Sequence, residues 1–160
     1  MKKIKRALIS VYDKKKLKNL LKILKKNHVQ ILSSGGTYKE IKKLGFKTIE
    51  ISNYTKSPEV LDGRVKTLNP KIHAGILMKR NNAKHKKDSI KNNFQEIDLV
   101  VVNFYPFEKV LEKTNNHKEI LENIDIGGPA LVRAAAKNYK DVTIISDISQ
   151  YDEVIHHLQK

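Results

Sequence analysis

The sequence predicts an α/β protein: a three-layer α/β/α arrangement on an open, mainly parallel sheet of five strands. Three observations carry this. Short apolar runs rich in β-branched residues alternate along the chain with segments of helical period, the order that puts crossover helices on both faces of a parallel sheet. The runs Ala7-Leu8-Ile9 and Leu99-Val100-Val101-Val102 are continuously apolar, as strands buried on both faces are. The chain has 160 residues, 39% of them hydrophobic, enough for one good core, so residues 1–160 are expected to form a single domain.

Taken in order, Arg6 to Val11 is the first strand. From Lys14 to Asn27, Leu17, Leu20, Leu21 and Leu24 fall on one helical face and lysines on the other. Val29 to Leu32 is the second strand; it runs into Ser33-Ser34-Gly35-Gly36-Thr37 and a helix over Tyr38 to Leu44. A strand that passes through hydroxyls and glycines into a helix N-terminus offers backbone N–H groups to an anion, although the same residues also make ordinary turns and caps. The turn is neither the Gly-x-Gly-x-x-Gly dinucleotide fingerprint nor a Walker loop. Gly45 stops the helix, Lys47 to Ile51 alternates as a third strand, and Ser52 to Leu61 has no clear period and reads as a connection.

The segment from Asp62 to Gly75 has glycine near both ends, Pro70 inside, and Arg64, Lys66 and Thr67 crowded together, so a shaped loop is expected. Read alone, it is either a solvated basic loop or a receptor for a phosphorylated small molecule. Beyond it, Ile76-Leu77-Met78 is apolar, and Lys79 to Lys91 is polar, an exposed loop with some helix. Leu99 to Val102 is the strongest strand, and Pro106 ends it and opens a helix toward Thr114. Asn103 and Tyr105 then sit at the carboxyl end of a central strand, where open α/β sheets bind ligands. A short helix follows His117. Gly127-Gly128-Pro129 leads into a helix over Ala130 to Asn138, small on most faces and bearing Arg133 and Lys137 four apart. Val142 to Ile145 is the fifth strand, and a final helix runs from Tyr151 to Leu158.

Composition narrows the function. The absence of cysteine excludes a disulfide framework, cysteine-ligated zinc and thiol catalysis. No apolar stretch approaches a membrane span or a signal h-region, so a soluble cytoplasmic protein is expected. The net charge of +15 raises nucleic-acid binding, but nearly all of it is lysine, with arginine only at positions 6, 64, 80 and 133, and aromatic residues do not interleave with the basic ones. His73, His85, His117, His156 and His157 lack second metal ligands at useful spacing, and His28 reads as a helix-end residue.

In a parallel sheet the carboxyl ends of the strands share one edge. Ser10, the turn from Ser34 to Thr37, the loop from Arg64 to Thr67, Asn103 and Tyr105 are therefore expected to converge, with the segment from Asp125 to Lys137 closing the pocket.

Six stretches in chain order carry a resemblance to a known family: Ser-Val-Tyr-Asp-Lys (10–14), Ser-Gly-Gly-Thr (34–37), Asp-Gly-Arg-Val-Lys-Thr-Leu-Asn-Pro (62–70), His-Ala-Gly-Ile-Leu (73–77), Asn-Phe-Tyr-Pro-Phe (103–107), and Ile-Asp-Ile-Gly-Gly-Pro (124–129) with Arg-Ala-Ala-Ala-Lys-Asn (133–138). Together they resemble the IMP cyclohydrolase domain of the bifunctional purine biosynthesis protein. The resemblance implies a methylglyoxal-synthase-like fold and dehydrative closure of 5-formamidoimidazole-4-carboxamide ribotide to IMP, with no cofactor or metal. It implies Lys66, Tyr105, Asp125 and Lys137 as the catalytic set. Ser10, Lys14, Ser34, Gly36, Thr37, Arg64 and Thr67 would surround the ribotide phosphate, and Asn103 and Gly127 would lie near the base. It also implies a homodimer with no nucleic-acid or membrane partner, and a full-length protein with a C-terminal formyltransferase domain that is absent here, the chain stopping short of the end of the cyclohydrolase region. Tyr12 departs from the small hydroxyl residue more usual in the family, and Asn69 from a histidine. Two relatives of the same fold are the rival readings: the nucleotide-binding regulatory domain of carbamoyl-phosphate synthetase, and methylglyoxal synthase, whose aspartate and histidine arrangement has no counterpart in these motifs.

Overall fold

A computed structural model describes residues 3–159. Five strands, β1 (Arg6–Val11), β2 (Gln30–Ser33), β3 (Ile49–Glu50), β4 (Leu99–Asn103) and β5 (Thr143–Ile145), form one sheet in the order β3-β2-β1-β4-β5. Every pairing is parallel, as in β1 against β4, where Ala7 faces Leu99 and Val11 faces Asn103.

The apolar run of β1 divides between the two faces because successive side chains point opposite ways. Ala7, Ile9 and Val11 join Leu99 and Val101 in a core with Leu17, Leu20, Leu21 and Leu24 of α1 (Leu17–Lys26), Ile41 of α2 (Gly35–Lys43) and, past a 3-10 turn at Ile148–Gln150, Tyr151 of the C-terminal helix Tyr151–Gln159. Leu8, Leu32, Val100 and Val102 face the other way. They pack on Ile51 of α3 (Ile51–Thr55), Ile72 and Ile76 of α4 (Pro70–Leu77), and Leu131, Ala134 and Ala135 of the helix Gly127–Lys137. Three layers result, as the sequence predicts, joined by α5 (Ala83–Lys91), α6 (Phe107–Lys113) and α7 (His117–Glu122); Gly127–Lys137 is α8 and Tyr151–Gln159 is α9.

Several boundaries move for identifiable reasons. The third strand shrinks from Lys47–Ile51 to two residues at the sheet edge; Thr48 turns its hydroxyl to Ser33 and to the Ile31 carbonyl, and Ile51 begins α3 inside the expected connection. The first helix starts at Leu17, three residues later than Lys14, because Lys16 takes φ 57°. The second starts earlier, at Gly35. The expected loop from Asp62 to Gly75 is a loop only as far as Asn69: the Asn69 side chain accepts from Lys71 N (2.8 Å), Pro70 takes the first turn, and α4 follows. The glycine of that helix is a contact requirement, since a Cβ on Gly75 would lie 2.5 Å from the Gln95 carbonyl oxygen. Pro129 is the third residue of α8, not the first, because the two glycines already belong to the helix.

Arg80, within the stretch expected to be exposed, is 4% exposed. Its guanidinium donates to the carbonyls of Met78 (2.7 Å), Ile97 (2.9 Å) and Gly75 (3.2 Å) and lies 3.9 Å from Asp98, whose carboxylate accepts from the backbone of Lys5 and Arg6. This network ties α4 to the amino ends of β1 and β4. Among the described residues no helix is long and apolar enough to cross a membrane.

Candidate active site

Chain order leaves β1 in the middle of the sheet: the chain moves outward to β2 and β3, then returns to place β4 on the other side. The crevice between the carboxyl ends of β1 and β4 is the switch point at which such sheets bind ligands. A cleft of about 810 Å³ opens there.

The first wall is the turn after β1. The Asn103 side chain, at the end of β4, accepts from the backbone N–H groups of Tyr12 (2.7 Å) and Asp13 (2.8 Å) and donates to the Asp13 carbonyl (2.8 Å). Asn103 is therefore engaged in shaping this turn, which carries Ser10 and Lys14 along the cleft; the Lys14 ammonium folds back to the Tyr12 carbonyl (2.9 Å). The Tyr12 ring meets Tyr105 edge-on at 4.3 Å between centroids. Hydrogen bonding to Tyr105 holds the Tyr12 phenol above its ordinary range.

The second wall is the start of α2. Ser34 precedes the helix in extended conformation, and Gly35 opens it at φ 53°, a conformation that glycine adopts without a Cβ penalty. The Thr37 hydroxyl is already committed: it accepts from Val11 N and donates to Val11 O, both at 3.0 Å, pinning the helix start to the end of β1. What this wall offers an anion is the backbone N–H groups of the first turn, which an α-helix leaves without intrahelical partners.

The third wall is the loop from Asp62 to Thr67. Thr67 is buried beneath Gly127, where a Cβ would come within 2.9 Å of its hydroxyl oxygen. Lys66, half-buried, lies against Gly63 and near Gly35 and pairs with Glu59 at 3.2 Å. Arg64 forms a two-pronged ion pair with Glu122 at the end of α7. Glu122 also lines the cleft. Hydrogen bonds from Arg64 hold its carboxyl below the usual carboxylate range, and the same contact raises Arg64.

The last wall is the start of α8. Asp125 accepts from Gly128 N (2.9 Å), a capping contact at the positive end of the helix, and side chains of Ile124 and Ile126 add apolar surface. Twelve of the thirteen expected site residues line this one cleft: Ser10, Lys14, Ser34, Gly36, Thr37, Arg64, Lys66, Thr67, Asn103, Tyr105, Asp125 and Gly127. Lys137 stands apart, exposed at the far end of α8, about 15 Å along the helix axis from Gly127. Glu59 and Glu122 escape sequence reasoning, Glu122 because its partner Arg64 is 58 positions away and no local spacing marks such a pair. Among the described residues no group of three or more His, Asp or Glu is placed to hold a metal ion.

A family model described as the MGS-like domain matches residues 16–130. The chain is 50% identical over 157 residues to the bifunctional purine biosynthesis protein PurH of Clostridium botulinum, and 51% identical over 158 residues to that of Clostridium acetobutylicum. Each alignment covers 98% of this chain and 32% of the relative, so the chain spans about a third of the length of these curated relatives. A crystal structure of ForH superposes with a TM-score of 0.85 at 30% identity, covering 97% of this chain and 78% of that one.

Proposed function

From the premise that this chain belongs to the MGS-like domain family, we propose that it is the IMP cyclohydrolase domain of a bifunctional purine biosynthesis protein and closes 5-formamidoimidazole-4-carboxamide ribotide to IMP. The observation that carries the reading is the convergence, in one cleft at the β1/β4 switch point, of hydroxyls, free helix-start N–H groups, Arg64, Lys66, Tyr105 and Asp125 on a chain half identical to PurH.

The reaction needs no external reactant. The carboxamide nitrogen attacks the formyl carbon, forming the new C–N bond and giving up one proton as the formyl oxygen becomes the hydroxyl of a carbinolamine; the formamido nitrogen then loses its proton as that oxygen departs as water, leaving the ring C=N bond. A carboxamide nitrogen is a poor nucleophile, so rate comes from proton transfer, from stabilising charge on the formyl oxygen, and from holding two groups of one molecule face to face. In this reading Tyr105, assisted by Lys66, moves the proton of the attacking amide. Asp125 and the N–H groups at the start of α8 hold the formyl oxygen and assist its departure. The phosphate lies between Arg64 and the start of α2, with Ser10, Lys14, Ser34, Gly36, Thr37 and Thr67 around it; Asn103 and Gly127 flank the base. Lys137 joins from a second copy of the chain, which makes a homodimer the working unit.

The test is direct: the protein is mixed with the formylated ribotide, and IMP formation is followed by absorbance. Ring closure above the uncatalysed rate is expected. Nucleotide binding without turnover would instead favour an effector-binding module like the regulatory domain of carbamoyl-phosphate synthetase.

A further inference from the structure

Arg64 reaches the cleft from an unusual tip. Val60 and Val65 form an antiparallel bridge, with reciprocal N–H to carbonyl contacts at 3.4 Å, and the three residues Leu61, Asp62 and Gly63 all take positive φ, 54°, 53° and 83°. Left-handed backbone at leucine and aspartate is disfavoured and persists where the surroundings fix it. The tip aims Arg64 across the mouth of the cleft at Glu122, and Nε donates to Oε2 at 3.2 Å while Nη2 donates to Oε1. Both prongs of the guanidinium are thus taken by one carboxylate. Lys66, two residues on, is met in the same way by Glu59.

A guanidinium fork matches a carboxylate and a phosphate with the same pair of parallel bonds, and one edge cannot serve both. We propose that Glu122 is a built-in competitor for Arg64: a specificity-determining residue whose carboxylate occupies the fork until a ligand phosphate displaces it. Uncharged ligands do not need the exchange, so Glu122 lowers affinity for ligands whose phosphate reaches Arg64 and leaves uncharged ligands unaffected, narrowing the margin between the two. This rests on the reading of the cleft as a nucleotide site, with Arg64 at the phosphate.

The experiment is calorimetric titration of IMP and of inosine, which lacks the phosphate, into the wild type, Glu122→Gln and Glu119→Gln. Glu119 sits on the same short helix outside the cleft lining and accepts instead from Thr114 at 3.0 Å, so it controls for general charge. Glu122→Gln is expected to tighten IMP about threefold to fivefold, the size of an exposed ion pair. It should leave inosine unchanged, and Glu119→Gln should leave both unchanged. The gain should vanish when Arg64→Gln is added. Unchanged or weaker IMP binding in Glu122→Gln overturns the proposal, as does equal tightening in Glu119→Gln or a gain that survives loss of Arg64; the nucleotide reading stands in each case. If the wild type and all variants fail to bind IMP, the nucleotide reading itself falls and takes this inference with it.

Discussion

At the scale of the residue, several expected site side chains are already committed to the fold. Thr37 and Asn103 give their hydrogen-bonding groups to the backbone after β1. What they contribute to the cleft is therefore the shape of that turn. Lys66 and Tyr105 are different, because neither is bound into the backbone by a contact of this kind, and both line the cleft. Lys66→Ala and Tyr105→Phe should each lower kcat by roughly 10²- to 10⁴-fold, the usual range for positioned acid–base groups, while IMP binding survives in part. Undiminished turnover in either variant removes that residue from the chemistry. Tyr151 gives a second expectation at this scale. Burial, the largest cause, pushes its phenol up to about 12 from 10.0. A phenol raised in the folded state keeps its proton where the unfolded chain has lost it, so its contribution is intact below pH 10 and is lost as pH rises toward 12. Urea unfolding across that window should show the wild type losing up to ~2 kcal/mol from this group, and Tyr151→Phe should show a shallower decline.

At the scale of the element, local signals worked where one short segment settles its own state. The apolar runs marked β1 and β4, the leucine spacing marked α1, and both β1 bounds fall where the sequence puts them. They failed where a neighbour decides. β3 is an edge strand whose length depends on what β2 offers it, and α3 and α4 gain their partners, Leu8, Leu32 and α8, only in three dimensions. The Asn-Pro pair at 69–70 was a legible start signal for α4 masked by the glycine that followed. Helix α8 is tied to α4 by Asn138, a buried residue that donates to the carbonyls of Ile76 (2.7 Å) and Met78 (3.0 Å). Asn138→Ala leaves both acceptors without this donor and should cost about 1–3 kcal/mol in urea unfolding. A change below a few tenths would show that water takes over the role.

At the scale of the whole molecule, the two ends of the sheet do different work. The buried Arg80 and Asp98 network closes the amino edge, and the cleft occupies the carboxyl edge. Lys137 fits neither, and its proposed role across a subunit boundary is testable by complementation. Mixed dimers of Lys66→Ala and Lys137→Ala chains contain one site with both lysines intact if Lys137 acts from the second copy, and none if it acts within its own chain. Mixing the two poorly active variants should therefore restore up to about a quarter to a half of wild-type turnover, depending on how freely subunits exchange; no recovery in demonstrably mixed dimers would place Lys137 elsewhere. The sequence by itself determined the layer architecture, because strand and helix periods are local and a parallel sheet follows from their alternation. It also determined which loops line the cleft, because parallel strands must end on one edge. Only the tertiary structure decided that Arg64 meets Glu122, that Asn103 is bound to the turn it helps to form, and that Lys137 lies a helix length away from the residues grouped with it. Each of these depends on side chains tens of positions apart in sequence or on the direction of a whole helix, and no local pattern encodes either.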